Sequence, residues 1–454
     1  MKKVILLIGD IVLLYASLAI TVWLRYGYLD GQIFVRHLIP FSIVFIIWLM
    51  IFFINGLYEM KKVRNDFKFY GQLVQNLAIN ALLGFALFYS ILGQFTTLRP
   101  QKVLIVLLII FAILFLLWRK IFYKIVSSAT LGTNLAIIGI NEESLILAQE
   151  IMTKPQLGYK LKLFINPDQA RLPDKFLVVP MARDISELKN NLLKHKISTV
   201  VVLNNPKYGP EVAKHLFESI DLKVQYFNLV SFYEKVLGKM PLNSLERSWF
   251  LENFNNKNFK WNKIVKKTID LLFAGLFSLV SLVLLPFIAL SIKLESKGPL
   301  IYSQERVGLN GKIFTVYKFR SMVKNAETNG AQWAKENDAR VTRVGKFIRK
   351  TRIDEIPQFW NILKGDMSFV GPRPERPEFV SELKEKITFY DERHLVKPGL
   401  SGWAQINFPY GASVEDAKEK LSYDLFYIKN QSVALDISTI LKTFNTVFNK
   451  SLGR

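Results

Sequence analysis

The chain has 454 residues, enough for two or three domains; half of them are hydrophobic, the mean hydropathy is +0.21 and the formal net charge is +23. This combination suits anionic lipid headgroups or phosphate-bearing substrates, and the long apolar runs argue against a nucleic-acid partner. There is no cysteine and the four histidines are not at metal-ligand spacing, so thiolate chemistry is excluded and any metal should be a hard cation held by oxygen, Mg²⁺ or Mn²⁺.

Four apolar segments predict a transmembrane four-helix region over residues 1–125. Each approaches the ~20 residues that a bilayer requires; they are Val4–Trp23, Leu38–Ile54, Leu73–Leu92 and Val103–Trp118. Basic residues precede the first segment and follow the second and fourth: Lys2, Lys3, Lys61, Lys62, Arg64, Lys68, Arg119, Lys120 and Lys124. The positive-inside rule therefore places the N-terminus and the chain after residue 126 in the cytoplasm of a multi-pass protein.

Residues 126–256 alternate strand-like and helix-like segments and predict a Rossmann-like α/β domain with a parallel sheet. The expected strands are Asn134–Ile140, Lys160–Ile165, Thr199–Leu203 and Lys223–Phe227, with helices Glu142–Met152, Ile185–His195 and Pro210–Ile220 between them. The first turn has only Gly139 where a dinucleotide fingerprint needs three glycines. We therefore expect no cofactor there, and a scaffolding or homodimerising role instead.

A fifth apolar run, Ile269–Ile292, has lysines on both sides and contains Pro286. A fifth crossing would place everything after residue 297 outside the cell, away from cytosolic nucleotides. Because proline removes a helical hydrogen bond and clashes with the preceding turn, we expect a re-entrant helix over about 267–293 that breaks at Pro286. Hydropathy alone would favour an ordinary proline-kinked span.

Two adjacent carboxylates, Asp354 and Glu355, lie in the basic stretch Arg349–Pro357, shortly before the rigid segment Gly371-Pro372-Arg373-Pro374-Glu375-Arg376-Pro377. One acid can attack phosphorus or hold a metal while arginines neutralise phosphate oxygens, so the pattern indicates phosphoryl chemistry. A surface ion-pair network is the alternative. We expect the neighbouring cations to favour ionised Asp354 and, if Pro357 begins a helix, free N–H groups to face the phosphate.

Further blocks accompany this pair in the last 190 residues or so: Lys267-Thr268-Ile269-Asp270, Gln304-Glu305-Arg306-Val307-Gly308, Tyr317-Lys318-Phe319-Arg320-Ser321-Met322, Leu363-Lys364-Gly365-Asp366-Met367-Ser368, Lys397-Pro398-Gly399, Gly402-Trp403-Ala404-Gln405 and Tyr423-Asp424. Residues 257–454 thereby resemble the bacterial sugar transferases, monotopic phosphoglycosyl transferases that prime polysaccharide assembly on polyprenyl phosphate. Phe408–Ser413 resembles their exopolysaccharide-associated branch. Leu285 stands where the family usually has serine before the proline of the re-entrant helix.

The resemblance implies an α-rich catalytic domain at the cytoplasmic face of the bacterial inner membrane, in contact with its lipid. Hexose 1-phosphate would pass from a UDP-sugar to Asp354, releasing UMP, and then to polyprenyl (undecaprenyl) phosphate. Glu355 would bind Mg²⁺, and Pro286 would break the re-entrant helix. The expected substrate-binding residues are Arg320, Arg349, Arg373, Arg376, Lys397 and Asp424. A surface ion pair for Arg320 and a helix cap for Asp424 are the alternatives.

Three other functions remain open on the sequence. A membrane glycosyltransferase would move sugar without phosphate and release UDP. A non-catalytic membrane scaffold would need no Asp354. In a direct transfer, Asp354 would serve only as a metal ligand and no covalent intermediate would form.

Overall fold

The computed structural model describes residues 2–28, 31–60, 66–90, 100–127, 132–167, 171–203, 209–253, 259–323, 338–409, 411 and 413–448. The chain divides into two compact units, Met1–Phe232 and Tyr233–Arg454. Two sequence predictions rest partly on residues outside the described ranges. These residues are Lys61, Lys62 and Arg64 of the predicted topology, and Tyr410 and Ala412 of the stretch at 408–413.

The first unit begins with four long helices at the predicted apolar segments. They are α1 (Lys2–Tyr26), α2 (Gly31–Ile54), α3 (Phe67–Ser90) and α4 (Pro100–Ser127). All four contain a stretch long and apolar enough to cross a membrane. Inside the bundle, Arg119 of α4 forms a buried ion pair with Asp10 of α1 and donates to the carbonyl oxygen of Leu57 at 3.0 Å. Since isolated charge is costly in an apolar bundle, this pair fixes how α1 and α4 meet.

A five-stranded parallel sheet follows in the same unit, with strand order β3-β2-β1-β4-β5. The strands are β1 (Thr133–Ile138), β2 (Tyr159–Ile165), β3 (Met181–Ala182), β4 (Thr199–Val202) and β5 (Gln225–Asn228). Helices α5 (Glu142–Thr153), α6 (Leu188–Lys194) and α7 (Gly209–Glu218) connect them. The parallel sheet and its four predicted strands are confirmed. The two-residue strand β3 is too short for a periodic sequence signal.

The second unit contains the remaining helices and two small sheets. After α8 (Leu229–Leu237), which spans the boundary, come α9 (Arg247–Asn253), α10 (Phe259–Glu295), α11 (Arg343–Lys350), α12 (Gln358–Lys364), α13 (Pro377–Lys386), α14 (Trp403–Asn407), α15 (Val414–Lys429) and α16 (Val433–Phe448). Strands β6 (Ile301–Val307) and β7 (Ile313–Phe319) form an antiparallel hairpin, and β8 (Ser368–Val370) pairs in parallel with β9 (Gly399–Ser401).

Helix α10 continues through Pro286 without interruption, so the expected break is not found at that residue. Near its start, Asp270 accepts a hydrogen bond from the backbone N–H of Phe369 at 3.0 Å. At its end, the carboxylate of Glu295 accepts from the N–H groups of Arg343 and Val344, at 2.6 and 2.9 Å. Between these contacts the apolar side chains Leu279, Leu282, Val283 and Phe287 are exposed. The helix is thus attached to one unit near both ends and leaves an apolar middle uncovered.

Candidate active site

Asp354 and Glu355 lie in a single 3₁₀ turn, Ile353–Glu355, between α11 and α12. Arg352 enters this turn with a left-handed φ of 59°, which non-glycine residues rarely adopt. The N–H groups of Glu355 and Ile356 bond to carbonyl oxygens within the turn, each at 3.1 Å. Pro357 precedes α12 instead of beginning it. The condition for the expected phosphate-facing N–H groups, a helix that begins at Pro357, is therefore not met, and the turn itself uses the N–H groups of Glu355 and Ile356.

Glu355 is a buried carboxylate surrounded by three cations. Its Oε1 accepts hydrogen bonds from Nη2 of Arg373 at 2.8 Å and from Nζ of Lys318 at 3.3 Å, and Nη1 of Arg352 lies 3.6 Å away. Burial alone would raise the pKa of Glu355. The positive charges of Arg373, Lys318 and Arg352 outweigh burial and hold the pKa well below its usual range. Glu355 is consequently ionised at neutral pH.

Asp354 is equally buried but differently surrounded. Its Oδ1 atom has no hydrogen-bond partner among the described residues. Burial raises the pKa of Asp354, and the negative charge of Glu355 raises it further, while Lys318, Arg352 and Arg349 lower it without cancelling the rise. Arg349 and Arg352, two of the cations expected from the sequence, do favour the ionised form of Asp354, but burial and the charge of Glu355 outweigh them. Since both carboxylates are buried, the three cations around Glu355 make Asp354 the more basic of the two.

The proline-flanked loop 371–376 places Arg373 against Glu355. A Cβ at Gly371 would lie 2.3 Å from the carbonyl oxygen of Lys397, so only glycine allows the two backbones to approach this closely. Pro372 and Pro374 fix φ on either side of Arg373, which reduces the entropy lost when its guanidinium is held. The structure thus places the backbone of Lys397 beside the loop that carries Arg373.

The other sequence-predicted residues have varied surroundings. Arg349 lies in the last turn of α11, and its positive charge lowers the pKa of Asp354. Arg320 donates to the carbonyl oxygens of Pro299 and Ser296, each at 2.6 Å, and so holds the turn after α10. Nε of Arg376 is 3.7 Å from Oε2 of Glu378, a neighbouring residue on α13.

Asp424 lies in the interior of α15, so the alternative of a helix cap is wrong. It is buried, and its Oδ2 accepts a hydrogen bond from Nη2 of Arg393 at 2.9 Å. Burial raises the pKa of Asp424 to about 6, while the charge of Arg393 opposes that rise. Direct contact of Asp424 with a substrate remains a prediction.

Sequence reasoning gave no separate role to two cations beside the loop, Arg306 and Arg393. Both donate to loop carbonyl oxygens, Arg306 to Pro374 and Arg393 to Arg373. Arg306 stood within a family block, whereas no spacing or composition signal marks Arg393. Lys318 also stood in a block, but only the fold shows that it contacts Glu355.

The two carboxylates offer oxygen atoms that would suit a divalent metal. Among the described residues, no group of three or more His, Cys, Asp or Glu side chains could hold a metal by itself. The Oε2 atom of Glu355 takes part in none of its three cation contacts, and Asp354 offers an unpartnered oxygen. Mg²⁺ commonly binds one or two carboxylates and completes its shell with water and phosphate oxygens. Glu355, with Asp354 beside it, would hold such an ion.

Two family models match the chain. A model described as bacterial sugar transferase matches residues 261–450, and one described as a CoA-binding domain matches residues 53–205. The first therefore covers the second unit from α10 onward, including the carboxylate pair. The second covers part of the helical bundle and part of the parallel sheet.

The described residues at the end of β1 do not fit the diphosphate group of a CoA-like cofactor. Asn141 and Ser144 cap each other's backbone N–H groups, at 2.8 and 2.9 Å, so those donors are already used. Glu142 and Glu143 add negative charge to the first turn of α5, which opposes anion binding. A Cβ at Gly139 would lie 2.7 Å from that of Leu203, which covers the turn.

Curated relatives match over different shares of the chain. An Aeromonas hydrophila protein named UDP-N-acetylgalactosamine-undecaprenyl-phosphate N-acetylgalactosaminephosphotransferase is 49% identical over 40% of this chain and 43% of its own length. UDP-glucose:undecaprenyl-phosphate glucose-1-phosphate transferase of Escherichia coli (strain K12) is 42% identical over 42% of each chain. The chain thus spans less than half the length of both relatives.

A shorter relative is covered more fully. It is the Bacillus subtilis (strain 168) protein named "Putative undecaprenyl-phosphate N-acetylgalactosaminyl 1-phosphate transferase", which is 50% identical over 28% of this chain and 72% of its own length. Together with the matched family model and the carboxylate pair inside it, this similarity shows that the chain belongs to the bacterial sugar transferase family.

Proposed function

We propose that the protein transfers a sugar 1-phosphate from a UDP-sugar to polyprenyl phosphate through a covalent intermediate on Asp354. The observation that supports this most directly is the unequal environment of the carboxylate pair. Glu355 is ionised and held by three cations, whereas Asp354 is buried beside it with a free oxygen. One acid is suited to organise charge and the other to attack.

The reaction then proceeds in two displacements at the same phosphorus. An Oδ atom of Asp354 attacks the phosphorus that carries the sugar, and the bond from that phosphorus to the bridging oxygen breaks, leaving its electron pair on UMP. A phosphate oxygen of polyprenyl phosphate then attacks this phosphorus, and the bond to Asp354 breaks to regenerate the carboxylate. Arg373, Lys318 and Arg352 offset negative charge as each bond breaks. When bound, Mg²⁺ would neutralise diphosphate oxygens.

The names of the relatives suggest the donor to test first. The relatives at 49% and 50% identity are named for N-acetylgalactosamine, and the one at 42% for glucose. We therefore propose UDP-N-acetylgalactosamine as the leading donor and UDP-glucose as the comparison.

The test supplies each UDP-sugar with undecaprenyl phosphate and Mg²⁺ to the full chain in lipid nanodiscs. We expect UMP and a lipid diphosphate sugar as products. Release of UDP would instead establish a glycosyltransferase, and no product with any donor would support a scaffold. Before lipid is added, donor labelled in the sugar-bearing phosphate should leave label on the protein. A full lipid-dependent turnover without labelled protein would establish direct transfer.

The membrane path of α10 belongs to the same proposal. The contacts of Asp270 and Glu295 attach both ends of the helix to one unit, and its exposed middle is apolar. We propose that it enters the cytoplasmic leaflet of the bacterial inner membrane and returns. Because the chain has no cysteine, single substitutions Lys267→Cys and Lys297→Cys provide clean labelling sites. A membrane-impermeant reagent should label both from the cytoplasmic side only; labelling from opposite sides would show a crossing.

The homodimer remains a proposal based on the parallel-sheet domain, whose first turn does not fit a cofactor. Mass measurement of the nanodisc-embedded protein tests it directly. Two copies per particle are expected, and a single copy at working concentration would contradict the proposal.

A further inference from the structure

The loop that carries Arg373 is held through four consecutive carbonyl groups, at residues 372–375. Backbone N–H groups hold the outer two. Gly399 donates to the carbonyl oxygen of Pro372, and Val307 donates to that of Glu375, each at 2.9 Å. These bonds tie the loop to β9 on one side and to β6 on the other.

Guanidinium groups hold the inner two carbonyl oxygens. Nη2 of Arg393 donates to Arg373 at 3.0 Å, and Nη1 of Arg306 donates to Pro374 at 3.2 Å. Because proline has no N–H, Pro374 can join the backbone hydrogen bonding of this loop only through its carbonyl oxygen. Arg393 therefore holds the very residue whose side chain reaches Glu355.

Arg393 is itself fixed from two directions. Besides the bond to Arg373, its Nη2 donates to Oδ2 of Asp424 at 2.9 Å, and its Nη1 donates to the hydroxyl of Tyr390 at 2.7 Å. Its side chain is 6% exposed. A guanidinium presents its donors in a rigid planar fork, so two fixed partners also fix the third bond. The position of the Arg373 carbonyl is thus set relative to α15.

We propose that Arg393, fixed by Asp424 and Tyr390, is a positioning residue that aims Arg373 at Glu355. This inference rests on the proposed function, in which Arg373 and Glu355 stabilise charge during phosphoryl transfer. Arg393 acts through the backbone of Arg373 and needs no contact with a substrate. Because a displacement of about 1 Å at a reacting group can cost about 100-fold in rate, loss of Arg393 should lower kcat more than it changes KM.

The test is a double-mutant cycle with UDP-N-acetylgalactosamine, undecaprenyl phosphate and Mg²⁺. Arg393→Met/Asp424→Asn removes both charges of the buried pair together, which avoids leaving one uncompensated. We expect kcat to fall about 10- to 100-fold in the unmodified protein. In an Arg373→Lys background the further fall should be below about 3-fold, because residues that act as one unit are not additive. An equal fall in both backgrounds would mean that Arg393 acts independently of Arg373, and the inference would be wrong.

A matched control distinguishes a specific effect on the position of Arg373 from a general loss of protein stability. Lys429 of α15 forms another ion pair, with Glu234 of α8 at 2.6 Å, and also lies over the Trp249 ring. Lys429→Met/Glu234→Gln should leave kcat within about 2-fold, since it releases no bond to the loop. A loss matching that of the Arg393 variant would contradict the proposal.

Tyr390→Phe provides a milder variant should the double substitution not fold. It removes one partner of Arg393 and keeps the ion pair. We expect kcat to fall about 5-fold, the size of effect that loss of one hydrogen bond produces. In the Arg373→Lys background the same substitution should cause no further fall. No loss, or an equal loss in both backgrounds, overturns the inference. Failure of the proposed function looks different: the unmodified protein would then release no UMP.

Discussion

Two turns of this molecule follow patterns associated with phosphate binding, and they are built in opposite ways. The turn after β1 has a glycine with φ of 90° and leads into a helix, but its N–H groups are capped by side chains and its first turn is acidic. The turn at 353–355 has no glycine, yet Arg373, Lys318 and Arg352 converge on it. A glycine before a helix is therefore insufficient for phosphate chemistry. Fixed positive charge and an available carboxylate oxygen distinguish the turn at 353–355, where we propose the reaction takes place.

The strongest test of this comparison between the two turns removes the oxygen of Asp354 that is proposed to attack phosphorus. Asp354→Asn should lower the rate of UMP release by at least about 1,000-fold, about 4 kcal/mol of transition-state stabilisation, because an amide does not replace the carboxylate as nucleophile. Turnover with saturating donor and lipid measures this effect. Asp391→Asn, at a half-exposed position, is the control and should retain activity; full activity in the Asp354 variant would refute the covalent route.

A second change tests the ionised partner. Glu355→Gln leaves three cations without their shared carboxylate and removes the proposed metal ligand, so we expect kcat to fall about 100-fold, about 2.7 kcal/mol. The Mg²⁺ concentration for half-maximal rate should rise. Exposed Glu305→Gln serves as the matched substitution. An unchanged Mg²⁺ requirement would show that Glu355 is not a metal ligand.

The pH dependence of stability tests whether His394, next to Arg393, is buried in its neutral form. Burial and the charge of Arg393 together lower the pKa of His394 to about 4, against the opposing charge of Asp391. His394 stays neutral in the fold, whereas the unfolded chain takes up a proton below its ordinary pKa of about 6.5. The free energy of unfolding therefore decreases as the pH falls from about 6.5 toward 4, and the decrease between pH 7.5 and 5 is about 2 kcal/mol.

Thermal unfolding midpoints of the unmodified protein and His394→Gln at both pH values measure this contribution. The variant should lose less stability on acidification. An identical drop in both proteins would show that His394 does not contribute.

The smallest effect concerns the other turn. Asn141→Ala removes the cap of α5 and should cost about 1 kcal/mol of stability in the first unit. Transfer activity should stay within about 2-fold, since the proposed mechanism gives that turn no role. Thermal unfolding and turnover of the same preparation check both parts. A large loss of activity in a folded protein would instead show that the turn takes part in catalysis.

The sequence predicts an element of the fold well where one strong local pattern is enough to identify it. Apolar length identifies α1 to α4, and alternation identifies four strands of the parallel sheet. The carboxylate pair and the proline-flanked arginine were also visible as local patterns. The pKa order of Asp354 and Glu355 was not, because it depends on burial and on cations from β7 and the loop. Arg393 had no local signal at all, since its role appears only when residues 373, 390 and 424 meet.

The attachment of α10 at both ends has a mechanical consequence. Asp270 on this helix holds β8, from which the Arg373 loop departs, and Glu295 holds the start of α11, which leads to Asp354. Any bending of α10 by a thicker or thinner bilayer would be transmitted to both sides of the reacting pair. Under the proposed membrane path of α10, lipid thickness would become a parameter of the geometry around Asp354 and Glu355, and turnover should vary with acyl-chain length even when carrier and donor are saturating.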